Sequence, residues 1–546
     1  MLEAGYMKLC EFVNECLIKY GCSKVFGVPG SLIMPIWQSI TESNLILCSH
    51  EQEASYVATG FGKAKKGLSV VISIGGPGVT NCVSGLASAN IDSIPLLYIS
   101  GRTPLDKDGC GVRQEESIYN RKYDSTDVTR FLSKKVICVE TVDKASASIV
   151  EAFETALSGR FGCVHLSIPL DLQKADIPVT YNLLQRNDAQ EVILPVKFSD
   201  RPIIIIGWGA WMSNSVEKIY KLAELINAPI LVTSKAYCCI QCDHPLYLGK
   251  LGYGYTDLLD DFICKYNPNQ FLVFGSSLGE KDLSETMIER IRNNLVFVWT
   301  VEDDCIHRRF PNAVIIETRD MAQRIQRMFS LIAARRRDER LYSLVLDRKE
   351  LINRYWLERI SPTDSMAQAI KSICDLSGEV VITADAGNHL LNLSALFNPD
   401  KIGKLFIDVG IRSMGSGICS TVGMAFYNPN NTYIAITGDG CMLMNGNVMH
   451  LVYEYNLPVV FVVINNNSLG RVRVGQSIMN DYRATDIYGI DFQMYAKAFG
   501  LNSYKIENEA ELGYCITSVV AKHQPAVIEI ITDHDEIPVT LKDHIY

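Results

Sequence analysis

The chain has 546 residues, 48% of them apolar and 21% charged, with a formal net charge of −9. These values describe an ordinary globular chain with room for about three domains, and the acidic balance, without a Lys/Arg stripe, argues against a nucleic-acid partner. No uninterrupted apolar run approaches the ~18–20 residues that cross a bilayer, and the opening MLEAGYMKLCEFVNECLIKYGC resembles an amphipathic first helix rather than a signal peptide, so no membrane partner and a cytoplasmic location are expected.

In chain order, residues 1–180 alternate strand-like runs, KVFGV (24–28), SVVISI (69–74), PLLYIS (95–100) and GCVHLSI (162–168), with helix-length stretches. That alternation predicts an α/β domain with a parallel sheet covered on both faces. The polar stretch 182–201 reads as a linker. A second α/β domain, within 190–345, begins at PIIIIGWGAW (202–211) and continues through APILVTS and QFLVFGSS. Its charged end, 334–350, reads as an exposed connecting helix. A third α/β domain spans 361–546. The 17 cysteines are scattered, many in apolar runs such as those around Cys138 and Cys163, which is the pattern of reduced, buried thiols. One cluster, Cys238, Cys239 and Cys242 with His244, contains a C-x-x-C. No second pair at zinc-knuckle spacing follows it, and no metal site is expected there.

The most informative stretch lies in the third domain. Gly438-Asp439-Gly440 follows the apolar run YIAIT (433–437), and Asn465-Asn466-Asn467 follows PVVFVVI (458–464), with a helix-length stretch between. This is a strand–helix–strand unit with parallel strands. Asp439 and Asn466, 27 positions apart, then stand at the carboxyl ends of two strands, where open α/β sheets bind ligands. A carboxylate and an amide oxygen are hard donors suited to Mg²⁺ beside a phosphate, and the flanking glycines allow close backbone approach.

GDG followed at this distance by paired asparagines resembles the diphosphate anchor of thiamine diphosphate (ThDP) enzymes. The resemblance implies Asp439, Asn466 and the Ser468 carbonyl as Mg²⁺ ligands, with Gly438, Gly440, Cys441, Leu469 and Gly470 around the cofactor. Other motifs agree with it in order. Ser49-His50-Glu51-Gln52 resembles the family's HEQ stretch and implies that Glu51 protonates the aminopyrimidine, which then takes a proton from thiazolium C2. Phe26-Gly27-Val28-Pro29-Gly30 resembles FGxPG, with Pro29 against the pyrimidine. Gly75-Gly76-Pro77-Gly78-Val79-Thr80-Asn81 resembles SGPGxTN, with Asn81 in the site, and Asp92-Ser93-Ile94-Pro95 resembles DSIP. Asp385-Ala386-Gly387-Asn388-His389 resembles DxGQH and implies Gly387, Asn388 and His389 near the diphosphate. Gly410 to Gly417 resembles GLGTMGYG, with Met414 propping the cofactor in its bent shape. The three domains become a pyrimidine-binding, a central Rossmann-like and a diphosphate-binding domain.

Among ThDP enzymes, VFGVPGSLIMPIW (25–37) and DGCMLMNGN (439–447) look most like acetolactate synthases. These join a pyruvate-derived unit to a second 2-oxo acid. The departures bear on the substrate. Where those synthases read about LGMVRQWQ, this chain has Leu469-Gly470-Arg471-Val472-Arg473-Val474-Gly475-Gln476. Arg471 replaces Met and Gly475 replaces the acceptor-selecting Trp, which implies room for a larger acceptor and a fork for an anion. Gln114 is the nearest candidate for the family's FQE glutamine, a catalytic position. The FAD-contacting GMHG and GVRFDDR segments appear as Leu251-Gly252-Tyr253-Gly254 and Gly275-Ser276-Ser277-Leu278, without the His or either Arg, which puts FAD in doubt. The reading is a ThDP- and Mg²⁺-dependent carboligase that takes a 2-oxo acid donor and a keto acceptor. A true acetolactate synthase and a non-ligating 2-oxo-acid decarboxylase stay open beside it. In this family the cofactor spans two subunits, so a homodimer is the expected minimum, with the tetramer open.

Overall fold

A computed structural model describes residues 5–115, 124–179, 196–302, 306–376, 378–398, 402–507 and 509–542. The predicted linker 182–201 falls mostly outside them. Among the described residues there are three six-stranded sheets and one two-stranded ribbon. The ribbon pairs β1 (Tyr6–Lys8) with β8 (Asp176–Pro178) in antiparallel fashion. The predicted amphipathic helix follows β1 as α1 (Leu9–Lys19).

The first sheet contains β2 (Val25–Gly27), β3 (Leu45–Leu47), β4 (Ser69–Ile74), β5 (Leu96–Arg102), β6 (Lys135–Cys138) and β7 (Cys163–Pro169) in the order β3-β2-β4-β5-β7-β6. All neighbours are parallel, as expected where β4 and β5 are near-continuous apolar runs buried on both faces. Helix α2 (Glu51–Lys65) joins β3 to β4, and α3 (Pro77–Ile91) joins β4 to β5.

The central sheet contains β9 (Pro202–Ile206), β10 (Ile230–Val232), β11 (Tyr247–Lys250), β12 (Gln270–Phe274), β13 (Leu295–Thr300) and β14 (Ala313–Glu317). Its order, β11-β10-β9-β12-β13-β14, is the doubly wound Rossmann arrangement. The short helix α4 (Trp208–Met212) follows β9. The charged segment after this sheet differs from expectation. Its helix, α5 (Glu339–Glu358), starts only at the Asp338 cap and buries Leu341, Val345, Ile352 and Trp356 along one face. Arg348 is buried too, its guanidinium donating to the Leu258 carbonyl at 2.9 Å. Dense charge therefore hid an i, i+4, i+11, i+15 apolar stripe.

The third sheet contains β15 (Gly378–Ala384), β16 (Ile402–Ile407), β17 (Thr432–Gly438), β18 (Val459–Asn465), β19 (Asn502–Ile506) and β20 (Ala526–Ile531). Its order, β16-β15-β17-β18-β20-β19, repeats that of the first sheet strand for strand. Its helices include α6 (Asn388–Leu396), α7 (Ser416–Tyr427), α8 (Asp439–Asn445), α9 (Met449–Glu454) and α10 (Gly470–Ser477). The stretch between β17 and β18 is not one helix. A 3-10 turn at Gly446–Val448 separates α8 from α9, because Gly446 weakens the helix at its middle.

The chain divides into two compact units, one of residues 1–189, 410–429 and 445–457, the other of residues 190–409, 430–444 and 458–546. In the first, α7 lies directly on α2. A Cβ on Gly60 would fall 1.9 Å from the Ser420 carbonyl oxygen, and one on Gly423 would fall 1.9 Å from that of Val57. Two glycines thus let the helix backbones touch. Aromatic contacts of Phe26 with Phe61 and Phe426, and of Phe61 with Tyr427, fill the space beside the crossing. Among the described residues the cysteines are free thiols, and most are buried.

Candidate active site

In the third sheet the strand order reverses between β15 and β17, so a crevice opens beyond their carboxyl ends. Asp385-Ala386-Gly387 leaves β15 there, and Asp439 leaves β17. The parallel register of β17 and β18 sets Gly438 opposite Ile464, which brings the asparagines level with Asp439. One backbone donor marks the convergence. The Ser468 N–H lies 3.2 Å from Asp439 Oδ2 and 3.2 Å from Asn466 Oδ1. Asn467 holds a left-handed φ of 52°, a conformation asparagine tolerates, and this turns the loop back on itself. Asn465 points elsewhere, its amide donating to Glu529 at 2.7 Å. Asn466 is thus the asparagine that shares a donor with Asp439.

Asp439 is buried, which pushes its carboxyl above the usual range, while N–H groups from Gly440 and Ser468 pull it back. A buried carboxylate with neutral oxygens beside it is poorly compensated without a cation. The surroundings supply more polar groups. Gly470 leaves room for two side-chain amides, since a Cβ there would meet Asn466 Nδ2 at 2.8 Å and Asn388 Nδ2 at 3.1 Å. Asn388 Oδ1 is buried without a hydrogen-bond partner among the described residues. His389, also buried, sits 3.0 Å from the Asp385 carbonyl and packs over Gly387, where a Cβ would fall 2.4 Å from its ring. The Cys441 thiol donates to Ala386 at 3.3 Å, and Leu469 N–H to Thr485 at 2.7 Å. Gly387, Asn388, His389, Gly438, Gly440, Cys441, Asn466, Ser468, Leu469 and Gly470 thus gather around Asp439. An oxygen-only donor set and an unpartnered amide oxygen fit a hard divalent cation carrying a phosphate group. Among the described residues no group of three or more His, Cys, Asp or Glu is placed to hold a metal, and in the Cys238–His244 cluster His244 lies 3.2 Å from Glu224.

The first sheet has its own reversal, between β2 and β4, and the motifs fall on it. Pro29 follows β2, the Gly75–Gly78 turn follows β4, and Glu51 opens α2 after β3. Glu51 is 9% exposed, and its Oε2 accepts from Asn81 Nδ2 at 2.9 Å. The Cys82 thiol donates to the Glu51 carbonyl at 3.5 Å, fixing the start of the helix from α3. Gly76 has a left-handed φ of 57°, and a Cβ there would lie 3.2 Å from the Gln114 carbonyl oxygen. Half-buried Gln114 therefore borders this turn, in a loop organised by the Glu115 carboxylate, which accepts the N–H groups of Gly109, Gly111 and Val112. The rest of the FQE-like stretch, 116–123, lies outside the described residues. Half-buried Met414 sits in the turn ahead of α7, where Arg412 and Gly415 both have positive φ, and its carbonyl accepts from Asn445 at 3.4 Å.

Arg471 and Gly475 lie on the exposed face of α10, and a Cβ on Gly475 would meet nothing within 4 Å. A neighbour not singled out from the sequence holds this helix. Arg473 donates to Asp535 at 2.6 Å and to Asp486 at 3.3 Å and stacks on Tyr482. Its partners lie too far along the chain for a local motif to reveal.

In the central sheet the reversal falls between β9 and β12, but the turn there is closed. Gly207 N–H donates to Phe274 at 2.9 Å and Gly209 N–H to Gly275 at 2.8 Å, and a Cβ on Gly207 would lie 2.4 Å from the Gly275 oxygen. These two N–H groups are therefore closed to a pyrophosphate, and buried Trp208 lies between them.

Three family models match the chain: the N-terminal thiamine pyrophosphate (TPP)-binding domain of thiamine pyrophosphate enzymes over residues 7–123, their central domain over 190–301, and their C-terminal TPP-binding domain over 385–530. The probable acetolactate synthase large subunit of Methanocaldococcus jannaschii is 25% identical, across 97% of this chain and 93% of its own. The isozyme 1 large subunit of Escherichia coli is 25% identical, across 96% and 94%. Rice chloroplastic acetolactate synthase 1 is 28% identical, across 97% and 85%.

Proposed function

Because the chain belongs to the thiamine pyrophosphate enzymes of the acetolactate synthase family, we propose that it decarboxylates pyruvate or a similar 2-oxo acid and transfers the two-carbon unit to a keto acceptor. The observation that carries this reading is the shared approach of Asp439 and Asn466 oxygens to the Ser468 N–H, 3.2 Å each. With the Ser468 carbonyl they form a set that holds Mg²⁺ and, through it, a diphosphate. Bound there, ThDP would supply a nucleophilic carbon for the 2-oxo group and a thiazolium ring as the sink for the electron pair left when CO₂ departs. The chain's own groups do the rest. Glu51 holds the proton for the pyrimidine, and Asn81 fixes the carboxyl by its 2.9 Å bond. Asn388 and His389 receive the diphosphate end, while Pro29 and Met414 set the cofactor's shape and Gln114 borders the reacting centre. Arg471 and Gly475 shape the acceptor side, where loss of an indole leaves volume for a keto acceptor larger than 2-oxobutyrate. The active assembly is at least a homodimer, working in the cytoplasm.

Pyruvate turnover with ThDP and Mg²⁺, followed by CO₂ release and NMR of the carbon products, tests the reaction. CO₂ release that rises sharply with an added keto acceptor supports the enlarged acceptor site. Acetolactate as the main product returns the chain to acetolactate synthase activity, and free aldehyde to simple decarboxylation. Replacing Glu51 by Gln is expected to leave ThDP affinity within about threefold and to slow turnover by at least 10²-fold. Full turnover in that variant would refute Glu51 as proton donor.

A further inference from the structure

Two residues beyond Glu51 stands a second acid, Glu53, and it is fully buried. Its carboxylate is saturated with donors. Ser49, just ahead of α2, gives its backbone N–H at 3.2 Å and its hydroxyl at 2.6 Å. The other donors come from almost 400 residues away, in the chain that follows α8. Asn447 Nδ2 bonds both Glu53 Oε2 and the Ser49 hydroxyl, and His450 Nε2 lies 3.1 Å from Glu53 Oε1. A carboxyl group taken wholly out of water is tolerated when its oxygens are hydrogen-bonded to this degree.

Successive helical residues rotate by about 100°, so side chains two apart point to opposite sides. Glu53 therefore grips the first turn of α2 from behind while Glu51 faces Asn81 on the other side. The turn is held from both directions, and the Cys82 thiol pins its backbone at the Glu51 carbonyl.

We propose that Glu53, with Asn447 and His450, forms a latch that positions Glu51, making Glu53 and His450 positioning residues for proton transfer to the cofactor. This role rests on the assignment of Glu51 above. The latch fixes where the Glu51 carboxyl stands and leaves the groups around Asp439 untouched, so it governs proton transfer and not cofactor affinity.

Three measurements test it on the full-length protein: exchange of the ThDP C2 proton into D₂O by acid-quench NMR, ThDP affinity by fluorescence titration, and amide exchange of residues 49–56 without cofactor. His450→Ala removes one partly exposed donor, Glu53→Gln keeps the shape, and Glu53→Ala opens the latch. Misplacement by about 1 Å costs on the order of 10²-fold in rate, so Glu53→Ala is expected to slow C2 exchange by about that factor and to deprotect residues 49–56. His450→Ala is expected to slow it about tenfold, with Glu53→Gln recovering much of the alanine loss and ThDP affinity staying within about twofold in all three. If Glu53→Ala fails to fold, the other two variants decide. C2 exchange at the wild-type rate in both overturns the latch, as does affinity falling in step with exchange. A wild-type protein that binds ThDP but never exchanges C2 overturns the Glu51 assignment itself, a result separable because residues 49–56 still report whether the latch closes.

Discussion

Lys250 carries a measurable penalty. It ends β11, only 7% exposed, with its ammonium donating to the carbonyls of Ala395 at 2.7 Å and Phe397 at 3.1 Å. Those carbonyls end α6, whose first residues are Asn388 and His389. Burial brings Lys250 down from its ordinary 10.5 to about 8, with the thiols of Cys242 and Cys374 opposing more weakly. A cation held at that cost lowers folding stability by about 3 kcal/mol at pH 7. The unfolded chain keeps this proton up to about pH 10.5 while the folded chain releases it from about pH 8. Between those values the unfolded state binds more protons, and stability rises with pH. Lys250→Met has no such dependence. Wild type should therefore gain about 2 kcal/mol on the variant between pH 7 and pH 9.5. Urea unfolding followed by tryptophan fluorescence reads this well, because four of the five tryptophans lie between residues 208 and 356. Parallel stability curves for the two proteins would refute the reasoning and mean that Lys250 shares its charge with water or an acid.

Gly423→Ala should destabilise the first unit by about 1–3 kcal/mol, because the methyl would meet the Val57 carbonyl; a denaturation midpoint equal to wild type would contradict the helix crossing. Gly475→Ala, on the open face of α10, should instead stabilise by up to about 1 kcal/mol through helix propensity, measured the same way. Asp439→Asn should weaken Mg²⁺-dependent ThDP binding by at least about tenfold, read by titration, since one neutral oxygen replaces the only carboxylate in the proposed ligand set. The purified protein should show no flavin absorbance near ~450 nm and gain none on incubation with FAD, given that the Gly207 turn engages its own N–H groups.

Much of the site was legible because its chemistry sits in short contiguous motifs. GDG, the asparagines, HEQ and the GGPG turn each leave a strand end, and apolar runs such as PVVFVVI announce those strands. Topology adds what no local pattern encodes, since the motifs flank the two sheet reversals. Elsewhere the sequence signal was weak for physical reasons. The edge strand β3 has three residues, and β6 is fully buried at only one of its four, so neither stands out as a buried run. The break at Gly446–Val448 interrupts an otherwise helix-length stretch. The partners of Arg473 and Glu53 lie 62 and almost 400 residues away, beyond the reach of any local pattern. The His-Glu-Gln order favours Glu51 over Glu53 in the sequence; the fold adds that Glu53 is committed to a saturated network while Glu51 lies beside Asn81.

The crossing of α2 and α7 has a consequence for synthesis. The face of α2 around Val57 and Gly60 is covered by residues that the ribosome adds about 350 positions later. At about 5–20 residues per second that interval lasts roughly 20–70 s. During it Phe26 and Phe61 lack the aromatic neighbours Phe426 and Tyr427, so the nascent first domain presents a sticky apolar surface long after its own sheet is complete. A fragment ending near residue 180 should therefore aggregate where the full chain stays dispersed.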